Sequence, residues 1–461
     1  MSYQGLEVHE QFDAIQANLA TVAPGTFSAL GGCIFAGGFS FGMEQAGFDV
    51  AGHVEHPDAA LGDEVSRQRW PVALAPLTRE NSAMSWLGFA ERLVDDGHVP
   101  DVFYANPPCV AYAGTGKHEG VLDDRMCFIR YCTYQMALTL KPKVWVWELV
   151  PGIVKKDRGF LDAMAFQAKR HGYKCWGFLT TSGIHGGYQD RRRFHFVASK
   201  YEIPWEQAYD AEPRSDRGSH TLGKLLEGLA IARNTAYTEK HDELPTPSEQ
   251  QFGPLGVLPN DSNTYNGAFR DIFPFCPPGS HLREVSPDIM LEHYKPRGSQ
   301  WVLGGGVPGF AHTRARLDRP SPNVLGGHTI IHPVQDRYLT PRECATIMGF
   351  PTDYEFSRGS KAYQEIGRGL CTHNARFLGR AIRMGLEMGV RAMPSKSDEK
   401  EHGQSYMQLV DWRNRGDKLA IKMNADDRRK WLINRHPDYD EDVLMRKHPT
   451  KEELAAIRAG A

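Results

Sequence analysis

Between residues 26 and 200 short apolar runs alternate with helix-length amphipathic stretches, and this alternation limits the possible folds more than any other feature. The apolar runs are Thr26–Phe35, Asp49–Val54, Val102–Ala105, Val144–Trp147, Tyr173–Leu179 and Phe194–Ala198. Helical patterns lie near Gly42–Ala46, Met126–Leu140 and Phe160–Arg170. A crossover helix returns the chain to the same end of a sheet, so such alternation predicts an α/β fold with a doubly wound, mostly parallel sheet.

The rest of the chain divides by composition. Residues 1–203 form a first unit that contains this alternation. Residues 204–300 are rich in Pro, Gly, Asp and Ser, with helical period only at Leu222–Arg233, and predict a loop-rich insertion. We set that region's limits at 204–319. A second ordered stretch, 320–393, ends in a predicted helix, Asn374–Glu387. Residues 394–461 form a charged extension that opens with a linker, Pro394–Gln404, and is otherwise predicted to be helical. Asn424 before Asp426 and Asp427, and Thr450 three residues before Glu453, are helix-start patterns.

Lys plus Arg number 54 and Asp plus Glu 56, a formal charge of −2. That balance excludes binding to nucleic acid through bulk charge, and any such contact must use a local basic face. No apolar run approaches the roughly 20 residues of a membrane span, and the polar, acidic N-terminus does not resemble a signal peptide. Eight cysteines form no CxxC pair and no zinc spacing. Reduced thiols in a cytoplasmic protein without a metal site are therefore expected.

Four motifs carry chemistry. Phe35-Ala36-Gly37-Gly38-Phe39 follows the first strand and enters a helix, with Glu55 closing the next strand. Glycines there let a ligand approach the backbone, and an acid at that strand end can accept from ribose hydroxyls; a purely structural strand–helix turn is the alternative. Asn106-Pro107-Pro108-Cys109 follows the third apolar run, where prolines stiffen the loop that presents the thiol. Cys109 reads either as a nucleophile or as a structural thiol. Glu148 closes the strand Val144–Trp147 between Trp147 and Leu149. Desolvation there raises a carboxyl pKa, which suits proton donation to a ring nitrogen; the alternative is a turn cap. In Gln189-Asp190-Arg191-Arg192-Arg193, an extended chain points Arg191 and Arg193 to one face and Arg192 to the other. Two convergent guanidiniums suit a phosphate or a carbonyl, and a solvated charge run is the alternative.

In order and spacing these motifs resemble those of the cytosine-C5 DNA methyltransferases, which move a methyl group from S-adenosylmethionine to DNA. Pro107-Pro108-Cys109 is similar to that family's Pro-Cys motif, Glu148 to the Glu of Glu-Asn-Val, and Gln189, Arg191 and Arg193 to Gln-x-Arg-x-Arg. The most diagnostic stretch is Arg337-Tyr338-Leu339-Thr340-Pro341-Arg342-Glu343-Cys344-Ala345, then Gly349-Phe350-Pro351, preceded by Pro320-Ser321-Pro322 and Ile331-His332-Pro333. The likeness covers roughly residues 26–390 and leaves out 204–300, where the family keeps its variable target-recognition region.

The resemblance implies a Rossmann-like cofactor domain. It implies that Phe35, Ala36, Gly37, Gly38, Phe39, Glu55 and Pro107 bind S-adenosylmethionine. By the same likeness, the Cys109 thiolate adds to carbon 6 of a cytosine flipped from double-stranded DNA, and Glu148 engages N3 and the exocyclic amine. Arg191 and Arg193 hold the base carbonyl and the Cys109 loop. Gln189 is a candidate DNA contact; Lys295, Arg297, Arg314 and Arg316 are candidates for phosphate binding, each with a solvated surface charge as its alternative. A monomer is expected, in a bacterial or phage-infected cell; restriction, defence and phage DNA modification are left open as its role. Two rival readings remain: an inactive DNA-binding relative, and an enzyme acting on free deoxycytidine nucleotide.

Departures from the family pattern cluster. Val110 stands for the usual Gln, Ala113 for Ser, Leu149 for Asn, Tyr188 for Pro, and Pro76 for an adenine-contacting acid. Arg368 in Ile366-Gly367-Arg368-Gly369 replaces an Asn that lies near the methionine part of the cofactor. A cation beside a sulfonium is unfavourable unless the sulfonium substituent carries a carboxylate, with which Arg pairs strongly. The resemblance with this departure leads to carboxy-S-adenosylmethionine as an alternative cofactor, with Arg368 binding it; the competing reading turns Arg368 outward to solvent or DNA phosphate.

Overall fold

The computed structural model describes residues 3–58, 60–76, 84–112, 120–212, 220–227, 229, 267–294, 312–351, 353–357, 360–393, 407–412, 423–446 and 450–459. Eight strands form the main sheet: β1 (Phe27–Gly32), β2 (Phe48–Glu55), β3 (Val72–Leu74), β4 (Val102–Ala105), β5 (Val144–Leu149), β6 (Lys174–Thr181), β7 (Arg192–Ser199) and β10 (Gln408–Asp411). Between them in the chain, β8 (Thr313–Arg314) and β9 (Ile330–Ile331) form a separate parallel pair. The order in the main sheet is β10-β6-β7-β5-β4-β1-β2-β3.

The sheet is mostly parallel, as the alternation predicts. Strand β7 alone runs antiparallel to its neighbours, β5 and β6. The link from β6 to β7 is a short turn, Ser182–Arg191, and a connection of that length reverses the chain rather than carrying it across.

Alternating side chains feed two cores. On one face Trp145, Trp147, Phe194 and Phe196 pack among the helices Val8–Ala20, Trp86–Asp95 and Arg158–Arg170. On the other, Tyr104, Val146, Phe178 and Val197 meet the helices Gly38–Gln45, Pro341–Met348 and Thr372–Met388. Each of these large side chains contributes about 1.5–3 kcal/mol by leaving water. The helices Gly38–Gln45 and Thr372–Met388 approach closely because Gly42 lies over Ala375; a Cβ at Gly42 would overlap it. The late half of the chain thus packs on one face of the sheet.

The diagnostic stretch 337–351 has a structural basis. Thr340 and Glu343 form a capping box for Pro341–Met348, with Pro341 in its first turn and Gly349 closing it at φ 85°. Arg337 holds Glu343 at 2.8 Å with both side chains buried. Burial opposes the charge on Glu343, but the Arg337 guanidinium keeps its carboxyl below the ordinary value.

Several expectations shift. The first strand ends at Gly32, not Phe35, because the chain turns left-handed at Cys33 (φ 56°) and Phe35 (φ 58°). The helix expected near Gly42–Ala46 starts at Gly38. The predicted helix Met126–Leu140 contains a π-helical stretch, Phe128–Gln135, before Met136–Leu140. Of Leu222–Arg233, Leu222–Leu226 is helical; residues 228 and 230–233 lie outside the described residues, as does 394–404. The extension is not purely helical, since Gln408–Asp411 adds strand β10 to β6. Its helices Ala425–Arg435, Glu441–Met445 and Lys451–Ala459 form as expected, with Asn424 capping the first and Thr450 pairing with Glu453 at the last.

A third core lies apart from the sheet. It joins Phe273, Phe275, Ile289 and Met290 of the insertion to Tyr338, Leu432 and Leu444.

Candidate active site

The carboxyl ends of β1, β2, β4 and β5 converge, as the topology of an open α/β sheet requires. The turn after β1 runs through Cys33, Phe35 and Gly37 in left-handed conformation and then becomes the helix Gly38–Gln45. Ser66 donates to the Phe35 carbonyl at 2.6 Å and Tyr354 to that of Ala36 at 2.9 Å, so the turn is held from two sides. At Gly37 (φ 87°) a Cβ would lie 2.5 Å from the Trp70 ring. Phe35 is nearly buried at 8% exposure, and Phe39 belongs to the core against Tyr104, 4.8 Å between ring centres.

Glu55 closes β2 and is buried. The Ile34 N–H donates to its Oε1. Burial pushes the carboxyl up to about 8, with nearby Asp63 adding to the rise and the turn's N–H groups opposing it. One N–H donor on Oε1 leaves lone pairs for further donors, which fits a group bearing vicinal hydroxyls.

Cys109 follows β4 behind Pro107 and Pro108 and is partly exposed. Glu148 closes β5, the adjacent strand, and is buried. Asn106 donates through Nδ2 to Glu148 Oε2, and Arg193 Nε pairs with Oε1 at 2.6 Å. Burial raises the Glu148 carboxyl above its ordinary value against the pull of Arg193 and Arg191. Burial also pushes the Cys109 thiol up, and the charge of Glu148 adds to this; Arg193, Arg191 and the Val150 N–H oppose it.

The two arginines share a face but do different things. Arg193 is at Glu148. Arg191 is buried and donates to the carbonyls of Val324 (2.6 Å), Gly367 (2.8 Å) and Gly369 (2.9 Å). It joins two loops of the late half beside the thiol. Arg192 points away and is exposed.

Gln189 is buried; it accepts from the Val324 N–H at 3.0 Å and its amide sits 2.9 Å from the Met348 sulfur. This placement corrects the expectation of a DNA contact: Gln189 fastens the same loop as Arg191. Arg314 is also corrected. It has no exposed surface and binds Asp336 and the carbonyls of Phe273, His332 and Gln335, so it cannot present its charge to a phosphate without unfolding that cluster. Arg316 is held by Asp318 at 2.7 Å. Lys295 and Arg297 lie outside the described residues.

Arg368 ends the helix Ser360–Arg368 and is exposed. Its side chain runs along Gly326, where a Cβ would sit 3.5 Å from Nε. Its neighbours Gly367 and Gly369 are the ones fixed by Arg191, which ties Arg368 to the site's rim. Among the described residues its guanidinium has no carboxylate partner.

Two residues carry no assigned role in the sequence reading. Asn106 precedes the prolines and orients Glu148; its position beside Cys109 was the available signal. His195 is opposite Glu148 in the β5–β7 register and fully buried, with both ring nitrogens unbonded among the described residues. Burial and Arg193 lower it to about 3. A lone strand histidine gives no signal in sequence.

Residues 33–384 match the family model for the C-5 cytosine-specific DNA methylases. The chain belongs to that family. It is a transferase of the DNA cytosine-5 methylase type, of a family and fold dependent on S-adenosylmethionine and acting on DNA. It is 26% identical over 357 residues to the type II methyltransferase M.Sau96I of Staphylococcus aureus, covering 75% of this chain and 73% of the relative. It is 25% identical over 395 residues to the type II methyltransferase M.PspPI of Psychrobacter sp. (strain TA137), covering 82% and 85%. The fold is shared with a prophage-encoded E. coli protein described as a DNA modification methyltransferase, with a TM-score of 0.53, 18% identity, and coverage of 78% of this chain and all of the other. No described helix of this family member is long and apolar enough to cross a membrane.

Proposed function

We propose that this methylase modifies C5 of a cytosine flipped out of double-stranded DNA, through a covalent bond between Cys109 and carbon 6. The observation that carries the reading is the convergence of Cys109 and Glu148 past the carboxyl ends of the adjacent parallel strands β4 and β5 with Arg193 from the start of the antiparallel β7.

The residues divide the work as follows. The Cys109 sulfur bonds to C6, which makes C5 electron-rich. Glu148, held by Asn106 and Arg193, donates to N3 and takes the growing negative charge off the ring. Its raised carboxyl pKa favours the protonated form this needs. A protonated Glu148 lacks the charge that would hold the thiol up, and Arg193 with the Val150 N–H then favours the thiolate against burial. After transfer C5 loses its proton, the S–C6 bond breaks and the Cys109 thiolate is released. Flipping the base costs a few kcal/mol of unstacking.

The turn 33–38 and Glu55 would hold the cofactor, with Glu55 accepting from ribose hydroxyls and Pro107 bordering the cofactor; bound there, the cofactor supplies the electrophilic carbon. Arg368, exposed at the rim and without a carboxylate partner among the described residues, favours a variant of this reading: the donor is carboxy-S-adenosylmethionine, and the group left on cytosine is carboxymethyl.

Nucleoside mass spectrometry of duplex DNA, after incubation with either donor, tests both parts. A modified cytosine absent with Cys109→Ala supports the transferase reading. A carboxymethyl increment that Arg368→Asn reduces supports the variant. Equal turnover of the carboxylated donor by Arg368→Asn overturns it.

A further inference from the structure

The family match ends at residue 384, yet the chain beyond it is built into the molecule at two distant places. At the first, β10 pairs in parallel with β6 at the edge of the catalytic sheet, and Trp412 packs against Phe178, 4.8 Å between ring centres. At the second, residues 424–446 lie on the described part of the insertion. His436 stacks on Phe275 at 4.1 Å and bonds the Pro274 carbonyl at 3.0 Å. His293 meets Tyr439 at 2.9 Å. Leu432 and Leu444 are buried in the core that includes Ile289 and Met290.

The charges across this seam are complementary. Arg446 grips Asp288 with both ends of its fork, at 2.6 and 2.7 Å, and Arg428 pairs with Glu284 at 3.0 Å. Arg435 binds Asp336 at 2.7 Å, and Asp336 also binds the buried Arg314. The next residue, Arg337, pairs with Glu343 of the capped helix in the late half. A continuous set of contacts therefore runs from the extension, through the insertion, to the catalytic half.

We propose that residues 407–412 and 423–446 are a strap that fixes the insertion against the catalytic sheet and thereby sets how the methylase engages its DNA target. The proposal rests on the reading that this chain modifies cytosine in DNA. The extension is a positioning element: Arg446, Arg428 and Arg435 act by holding Asp288, Glu284 and Asp336, not by touching the reacting base. Their guanidiniums are occupied by acidic residues of the protein, which separates this role from phosphate binding. The insertion supplies most of the described core, from Phe269 to Tyr294, and Leu432 and Leu444 of the extension are buried in it beside Ile331 and Tyr338 of the late half, so the three regions share one core.

The test uses the full-length protein with Arg446→Glu, and with the double reversal Asp288→Arg/Arg446→Glu. Duplex DNA with randomised sequence is the substrate, modified sites are read by sequencing, and S-adenosylhomocysteine affinity is measured by calorimetry. Arg446→Glu is expected to raise KM for DNA about tenfold or blur the modified sequence, since the insertion is then no longer held at Asp288. Its S-adenosylhomocysteine affinity and kcat stay at the wild-type level, and the double reversal recovers most of the loss. Unchanged KM and sequence preference in Arg446→Glu would overturn the proposal. So would a parallel loss of S-adenosylhomocysteine affinity, which would mark a general loss of folding, or a double reversal no better than the single variant. If the wild-type protein itself neither modifies nor shifts DNA, the underlying reading fails first and the strap's role with it.

Discussion

Glu148 Oε1 lies 2.6 Å from Arg193 Nε, and the two charges act on the Cys109 thiol in opposite directions. Glu148 raises the thiol and Arg193 lowers it, with burial as the largest effect. Replacing Glu148 by Gln removes the opposing charge and keeps the shape. The alkylation profile of Cys109 is then expected to move to lower pH, read as iodoacetamide rate against pH with Cys109→Ser as the background. The same variant is expected to lose about 10²–10⁴-fold in turnover, the usual contribution of a positioned general acid. A more reactive thiol in a slower enzyme is the signature; an unchanged profile would deny the coupling.

Glu55 gives a pH dependence of opposite sense to a typical surface carboxylate. Its folded-state pKa is raised to about 8 from the 4.5 of the unfolded chain. Between those values the folded state keeps a proton that the unfolded state has lost, so stability falls as pH rises through that window. Thermal melting of the cofactor-free protein should therefore fall from pH 5 to pH 8, and Glu55→Gln should flatten the slope. A variant as pH-sensitive as the wild type would show that another group is responsible.

Arg191 has a structural task that a solvated arginine would not have. Its removal leaves the carbonyls of Val324, Gly367 and Gly369 without their donor. Each buried group so abandoned costs about 1–3 kcal/mol. Arg191→Ala should lower the urea midpoint by at least about 2 kcal/mol of stability. Arg193→Ala, which removes one partner of the buried Glu148 but leaves the carbonyls of Val324, Gly367 and Gly369 bonded, should lower the midpoint less than Arg191→Ala while reducing turnover.

The contact between the helices Gly38–Gln45 and Thr372–Met388 depends on the missing side chain at Gly42. Gly42→Val should push the two apart at a cost of about 1–3 kcal/mol, the usual penalty of overpacking. The loss should appear in urea unfolding and in weaker S-adenosylhomocysteine binding, because one of these helices begins at the turn 33–38.

Much of this was legible in the sequence. The strands β1, β2 and β4 to β7 have apolar runs that their burial demands, and the capping box of Thr340 and Glu343 shows in the spacing. Strand β3 is three residues long and β10 reads Gln-Leu-Val-Asp in a charged segment, so neither shows a period that can be recognised. The left-handed turns at Cys33 and Phe35 depend on tertiary ties from Ser66 and Tyr354. Arg314 looked like a surface charge because its partners Asp336 and Phe273 lie 22 and 41 residues away in the chain. Gln189 was misread for the same reason: Val324 and Met348 are distant in sequence. Local pattern reports which side chains can be buried, and the fold decides what they meet.

The most direct measurement is intact mass spectrometry of the protein after incubation with cofactor and duplex DNA carrying 5-fluorocytosine. Fluorine cannot leave C5 as a proton does, so release of the sulfur is blocked after transfer. The predicted result is a denaturant-stable protein–DNA adduct that maps to the peptide bearing Cys109 and is absent in Cys109→Ala. DNA modified at ordinary cytosine by a protein that never forms this adduct would contradict the covalent role of Cys109.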